Sequence, residues 1–387
     1  MFVGEKLTDI RVLHGYSRNE LATILDVSEQ SVWQYENGYA TPGIQTMNKL
    51  REVFKVRTKF FYTEQIIEND IKEESIAYRS SERNSIKKTK TETIHLKYLN
   101  YLVDYIEQYV EYPINNILKL REYTIREINN NNGLNEGLIK EISLQARQML
   151  GLENENNEGL LFLLEKNGAF IFEKSLGIKT DAYSAWTKKS NRPFIILGNF
   201  KKSSVRRNFD LAHELGHLIL HYGINILELT TKEYEKIEKE ANLFAANFLL
   251  PEEMFKNDIE CIQKKSNPNS YIELKEKWKV SIAAIAYRAY KLNFLSYQQY
   301  RYFNVLLNRF DYKVKEPLDE SIPILRPGKI RSSLKFIFDN NLANLESLCK
   351  YSLFEMELIS NLFEIEQDFF NDYIMKPKLY DFAKRAK

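Results

Sequence analysis

The sequence predicts a mostly α-helical chain with a small β-sheet, an α+β architecture. Two observations carry that expectation. Apolar residues recur every three to four positions through long stretches, as in "LKYLNYLVDYIEQYVEYP" over residues 96–113, the period of a helix with one buried face. In "GAFIFEKSLGI" and "NRPFIILGNF", residues 168–178 and 191–200, the period shifts towards two and β-branched and aromatic residues dominate, which predicts short strands. With 387 residues, 44% of them hydrophobic and 28% charged, the chain can hold roughly two to four domains with cores of their own.

Charge and cysteine usage narrow the classes of function. The formal net charge is +2, which fits neither a general polyanion binder nor a membrane-surface protein, so any nucleic-acid contact has to be local. The two cysteines, Cys261 and Cys349, lie far apart in sequence; that argues against a disulfide framework and against a cysteine zinc site. The start "MFVGEKLTDIRV" lacks the apolar core of an export signal, and no run approaches the ~18 apolar residues of a membrane span. A cytoplasmic protein without a membrane partner is expected.

Residues 1–62 carry closely spaced short helical patterns. In "YSRNELATILDVSEQSVWQYENGYATP", Ser17 followed by Glu20 forms a capping box that starts one helix, and Ser28 starts the next. Leu21, Ala22, Leu25, Val27, Val32 and Tyr35 supply the apolar contacts across the "DVS" turn, which makes the pair a helix-turn-helix. Its second helix can offer Gln30, Ser31 and Gln34 to base edges in a major groove, and Arg18 can reach phosphate or guanine. This stretch resembles the XRE/Cro-type helix-turn-helix family, including Glu36 and Gly38 after the recognition helix and the nearby Pro42. It departs from the family at Arg18, where glutamine is common. The resemblance implies a five-helix, lambda-repressor-like domain that binds double-stranded operator DNA, with a homodimer as the reading unit.

After this domain, "KEESIAYRSSERNSIKKTKTE" turns to mixed charge with few large apolar residues, so 63–97 reads as a linker. Its Arg83, Lys87, Lys88 and Lys90 either track phosphate or lie on a solvated linker. Helical patterning fills 98–150, broken at Pro113 and in "INNNNGLNEG", and helices return over 271–387 around an irregular stretch marked by Pro317, Pro323 and Pro327. Within that last region, "LKEKWKVSIAAIAYRAYKLNFLS" itself has the look of a helix-turn-helix, with Val280 and Ser281 at the turn. Its second helix offers mainly Ala283, Ala284, Ile285 and Ala286, which favours a helical brace over a DNA reader.

The chemistry concentrates in "FDLAHELGHLILH", residues 209–221, which holds three of the five histidines. His213 and His217 stand at i and i+4, so on a helix both imidazoles leave one face and can hold one zinc ion, Zn2+, with Glu214 beside them as general base. His221 is excluded as a third ligand, because eight helical residues rise ~12 Å while each ligand atom must sit ~2 Å from the metal. The third ligand is expected from "EYEKIEKEANLFAANFLLP". Glu238 is favoured there, because Asn242 one turn on can orient a ligand histidine. Glu240, about 200° round the helix, is the competing acid.

The succession of H-E-x-x-H, E-x-x-A-N and "FAANFLLP" resembles the ImmA/IrrE-type zinc metallopeptidases, which are gluzincin-like. "RPFIILGNF" looks like that family's strand, and "IAYRSSERNSIKK" and "KWKVSIAAIAYRAYKLNFLSYQQYRY" look like its flanking helical segments. The resemblance implies a zincin-like metallopeptidase core over 151–270, hydrolysing a peptide bond in a partner such as a transcriptional repressor. An extended substrate would pair with an edge strand, for which "DAYSAW" and "PFIILGN" are the alternatives. Tyr183, Tyr222 and His221 are near enough in sequence to serve as transition-state donors, with no choice among them. Set against this protease-regulator is a binding-only repressor or antitoxin whose zinc domain senses a ligand or joins dimers. The last ~60 residues resemble no family we can name.

Overall fold

The computed structural model describes residues 1–63, 67, 70–71, 77–80, 86–113, 115–152, 156–176, 180–199 and 203–374, with backbone alone at 77–80, 86–87 and 180. The chain divides into two compact units. One joins Met1–Glu68, Tyr98–Glu111 and Arg331–Lys387; the other joins Asn69–Lys97 and Tyr112–Ile330. These units cut across the expected segments, since 98–150 and 271–387 are each divided between them. Periodicity marks helices but is blind to which distant helix each one packs on, and that packing sets the units.

The first unit opens with α1 (Gly4–Leu13), α2 (Arg18–Leu25), α3 (Glu29–Glu36) and α4 (Ile44–Phe54). Its fifth helical element is a single 3-10 turn, Thr58–Phe61. The Ser17 side chain accepts from the Glu20 amide while Glu20 accepts from the Ser17 amide, the capping box read from the sequence. Asp26 ends α2 in the left-handed region, and Ser28 Oγ then accepts from the Ser31 amide at 3.1 Å to start α3. Leu21, Ala22, Leu25 and Val32 are buried between the helices, with Val27 and Tyr35 half-buried. At Gly4 a Cβ would lie 2.3 Å from the Glu36 carbonyl oxygen, so α1 meets the end of α3 where only glycine fits.

The second unit contains β1 (Ala77–Ser80), the start of α5 (Ile86–Ile106), α6 (Asn116–Asn130), α7 (Glu136–Leu150), α8 (Leu160–Lys166), β2 (Phe170–Lys174), β3 (Thr180–Trp186), β4 (Pro193–Gly198), α9 (Ser204–Leu220) and α10 (Thr231–Leu249). The sheet order is β1-β3-β4-β2. β2 and β4 run parallel, and β3 is antiparallel to both its neighbours. Two expectations are corrected here. The stretch 63–97 is more than a linker, because "AYRS" forms a sheet strand where the resemblance suggested a helical segment. A four-residue strand lacks the length for a period to show. Likewise neither "DAYSAW" nor "PFIILGN" is an edge, since β3 and β4 are each paired on both sides.

Helices cover both faces of this sheet, which is why β4 is buried at every position and reads as an unbroken apolar run. On one face lies α9, where Trp186 Nε1 donates to the Leu218 carbonyl at 2.8 Å. On the other lies the first half of α5, where Glu92 Oε2 accepts from Tyr183 Oη at 2.6 Å and pairs with Lys174 at 2.7 Å. α10 packs on α9 at Gly216, where a Cβ would meet Phe244 at 3.0 Å and the Ala241 Cα at 3.4 Å. The glycine of "HELGH" thereby sets how near α10 comes.

α11 (Glu252–Glu260), α12 (Ile272–Trp278), α13 (Ile282–Lys291) and α14 (Tyr297–Arg309) complete this unit. Trp278, Val280, Ile282, Ile285, Ala286 and Ala289 are buried in the same apolar core as α9 and α10, so α12 and α13 brace that core. Of the basic cluster, Lys88 Nζ donates to the Leu176 carbonyl at 3.1 Å and Lys90 is exposed. Arg83 and the side chain of Lys87 lie outside the described residues.

The chain then returns to the first unit through α15 (Lys329–Asp339), α16 (Leu345–Ser352), α17 (Met356–Phe363) and α18 (Gln367–Asn371). Val56 and Phe354 form an antiparallel bridge, flanked by Arg57 N to Leu353 O and Glu355 N to Lys55 O, both 2.8 Å. Arg57 grips Glu346 with two nitrogens at 3.2 and 3.0 Å. Tyr101, from the second half of α5, stacks on Tyr351 at 4.9 Å and donates to its carbonyl. The otherwise unmatched C-terminal region is thus part of the N-terminal unit's fold; residues 375–387 lie outside the described residues.

Candidate functional site

α9 carries His213, Glu214 and His217, and His221 follows its last residue, all four buried; α10 carries Glu238, Glu240 and Asn242. The structure brings His213, His217 and Glu238 together, with one ligand-type atom from each within 4.8 Å of the others. The two Nε2 atoms are 3.0 Å apart, and the Glu238 carboxylate lies 3.4 Å from His213 Nε2 and 3.2 Å from His217 Nε2. Atoms bound at ~2.0–2.1 Å around a tetrahedral zinc are ~3.3 Å from one another, and the two nitrogens and the carboxylate, which offers Oε2 to His213 and Oε1 to His217, stand at separations near that value.

The outer nitrogens fix the direction of the inner lone pairs. His213 Nδ1 faces Asn242 Oδ1 at 3.1 Å, and an amide oxygen only accepts, so Nδ1 donates and Nε2 turns its lone pair inward. His217 Nδ1 faces His221 Nδ1 at 3.0 Å, and His221 Nε2 faces Glu240 Oε2 at 3.1 Å. The carboxylate accepts from His221 Nε2, so His221 Nδ1 accepts from His217 Nδ1, and His217 too turns its Nε2 lone pair inward. Two lone pairs and a carboxylate converging at this distance repel unless a cation lies among them, so the donor set fits a divalent metal.

Charge states agree with this arrangement. Burial pushes the His221 imidazole down to about 4, beyond what Glu240 restores, so it is neutral near pH 7. Burial pushes the Glu238 carboxyl up, but His213 and His217 outweigh it and hold it well below the usual range. Glu214 Oε2 accepts from Ser184 Oγ of β3 at 2.7 Å, which sets the carboxylate between the sheet and the histidines' helix. Among the donors left open, Tyr183 points to Glu92 on the other face of the sheet and His221 is committed to Glu240. Tyr222 is 46% exposed, with its ring over the Arg121 guanidinium at 4.0 Å. A cavity of about 140 Å³ opens beside His217, lined by Ser184, Trp186, His221, Tyr222 and Ile226.

In the N-terminal unit, Gln30 is exposed on α3 and Gln34 half-buried. Ser31 Oγ is bonded to Ser28 Oγ at 2.8 Å. Arg18 does not project freely, because its Nε pairs with the buried Glu36 at 2.5 Å, where Arg11 pairs as well. Two further exposed residues, outside the polar set expected to face DNA, are Trp33 of α3 and Tyr39 just after it, which stack at 5.3 Å and are 39% and 74% exposed. An aromatic five residues after the capping Ser28 is the signal in the sequence.

A family model described as the helix-turn-helix matches residues 7–61, and the peptidase-family model described as the IrrE N-terminal-like domain matches residues 164–290. The chain joins an XRE-type helix-turn-helix to an IrrE-type domain. The IrrE-type match takes in the histidine helix, α10 and the α12–α13 brace, and so runs past the expected end at 270. A protein named as an HTH-type transcriptional regulatory protein in Pyrococcus abyssi is 45% identical over 51 residues, 13% of this chain and 16% of that one. The HTH-type transcriptional regulator YonR of the SPbeta prophage of Bacillus subtilis is 37% identical over 57 residues, 15% of this chain and 53% of YonR. The chain therefore spans about half of YonR or less of each of these relatives.

Proposed function

We propose that the chain is an operator-binding regulator whose IrrE-type domain is a zinc endopeptidase acting on a partner protein such as a transcriptional repressor. The observation that carries the proteolytic half is the pair of inward lone pairs, set by Asn242 and by the His221–Glu240 pair, meeting Glu238 beside Glu214. In this reading His213, His217 and Glu238 hold the metal. Zinc, when bound, supplies Lewis acidity to the scissile carbonyl and to the attacking water. Glu214 accepts the water's proton and delivers it to the departing amide nitrogen, with Ser184 keeping its carboxylate turned to the site. The cavity beside His217 takes a substrate side chain. In the DNA-reading half, Gln30 and Gln34 contact base edges, Ser31 assists from the helix start, and Arg18 acts through Glu36 to hold α3.

The test is to incubate the zinc-loaded chain and its Glu214→Gln variant with repressors encoded at the same locus and to read fragments by mass spectrometry. Fragments that require Glu214, with equal zinc in both proteins, are expected. Their absence across such a set leaves the binding-only regulator, which has one observation on its side: β3 is already paired on both sides. Glu238→Ala should lower bound zinc, and an unchanged zinc content would remove Glu238 from the ligand set.

A further inference from the structure

β3 is the strand through which the sheet meets the site, because Ser184 holds Glu214. On one side β3 pairs with β4, and on the other with β1, whose four residues come from the segment that follows the helix-turn-helix domain. Ala77 stands opposite Ser184, Tyr78 opposite Tyr183, Arg79 opposite Ala182 and Ser80 opposite Thr180, all antiparallel. Antiparallel addition to a sheet edge is how a sheet binds an extended peptide through its backbone. β1 thus has the direction and the place of such a peptide, with Ala77 in register with the residue that holds Glu214.

We propose that the outer edge of β3 is the peptide-binding site of the IrrE-type domain, and that Ala77–Ser80 of the same chain are its resident occupant. The ligand class is an extended peptide segment, which has to displace β1 to reach the same backbone groups. The occupant is thin: among the described residues the ladder is four residues long, and its register shifts between Arg79 and Ser80. Short, irregular ladders open locally long before a domain unfolds. While β1 is paired, an incoming peptide meets an apparent affinity lowered by the fraction of time the edge is open. Calling the displaced state active rests on the proteolytic reading above, whereas the competition for the edge does not.

The test uses the full chain with Glu214→Gln, so that nothing is cut, and a fluorescein-labelled peptide of residues 72–84 followed by anisotropy. Ala77→Pro and Tyr78→Pro are introduced in turn. Successive amides of a strand point to opposite sides, so one proline removes a hydrogen from the β3 ladder and the other an outward one. The ladder-facing variant should bind the peptide about tenfold more tightly than the parent, and the other should change less. Equal binding by all three overturns the proposal. Should either proline lower zinc content or melting temperature, hydrogen exchange on the parent decides instead. Excess peptide should then deprotect the amides of residues 77–80, and unchanged protection overturns the proposal. With Glu214 restored, tighter peptide binding without cleavage of any partner would remove the proteolytic reading and leave the edge proposal standing. Cleavage that the prolines do not accelerate, together with unchanged binding, would remove the edge proposal alone.

Discussion

The chain writes the same corner twice. Asp26-Val27-Ser28 joins α2 to α3, and Lys279-Val280-Ser281 joins α12 to α13. In both, the first residue is left-handed, with φ of 59° and 53°, and the serine side chain accepts from the amide three residues on. The surroundings differ. Gln30 stands exposed at the start of α3, whereas the first amides of α13, Ile282 and Ala283, donate to the buried Glu316 at 2.9 and 3.2 Å. The start of a recognition helix has to enter a groove, and α13 has a carboxylate lodged there. Turn chemistry builds a helix-turn-helix corner; the environment of the second helix decides whether it can read DNA.

The largest effect expected from this difference is on stability. Lys275 is fully buried and pairs with Glu316 at 2.9 Å and Asp319 at 2.6 Å. Glu316→Ala would leave a buried ammonium with one carboxylate where it had two, and two helix amides without an acceptor, at a cost of about 3 kcal/mol. Glu36→Ala, in the first motif, should cost less, about 1–2 kcal/mol, because the Arg18 side chain is 40% exposed and can be hydrated, and the more buried Arg11 keeps its bond to the Tyr16 carbonyl at 2.7 Å. Urea denaturation of the two variants checks the order. A larger loss in Glu36→Ala would undo the contrast between a sealed corner and an open one.

Next in size are effects on DNA binding. Gln30→Ala and Gln34→Ala should each weaken operator binding by about 1–3 kcal/mol, tenfold or more, while leaving the melting temperature unchanged. Tyr287→Ala, at an exposed position of α13, should leave operator binding unchanged. Mobility-shift titrations of the three variants at one salt concentration compare them. A loss in Tyr287→Ala as large as in Gln30→Ala would make the second corner a reader too.

Where local chemistry decides, the sequence was readable. Ser17, Glu20 and Ser28 mark their helix starts through bonds spanning three residues, and the i, i+4 spacing of His213 and His217 puts both rings on one face of α9. Helical phase separates the two acids of α10 but does not say that both have a role. Glu238 and Glu240 stood as rivals for one role, yet the structure turns Glu238 to His213 and His217 and gives Glu240 to His221. Helix rise keeps His221 away from the convergence of the other two rings, and its ring reaches the outer nitrogen of His217 instead. Long-range pairing was illegible. Nothing in "AYRS" names β3 as its partner, and nothing in α16 names Arg57, because those contacts depend on residues 100 or more positions away. Arg18 looked free for the same reason: its partner Glu36 is brought to it only by the fold of α2 on α3.

The smallest expected effect is a pH response in the domain that holds the open corner. His14, at the end of α1, packs its ring against Phe54 at 5.0 Å and holds the Ile10 carbonyl through Nδ1 at 2.8 Å. Burial lowers its pKa from the ordinary imidazole value by more than that bond restores. The sign follows from proton uptake. Below about pH 6.5 the unfolded chain binds a proton at this position before the folded one does, so the stability it contributes is fully present above that pH and is lost as pH falls. The difference in melting temperature between the parent and His14→Gln, followed from about pH 7.5 to about pH 5, cancels the groups common to both proteins. The advantage of the parent should shrink as pH falls. A gap that stays constant or widens would mean that His14 is not held neutral by its burial against Phe54.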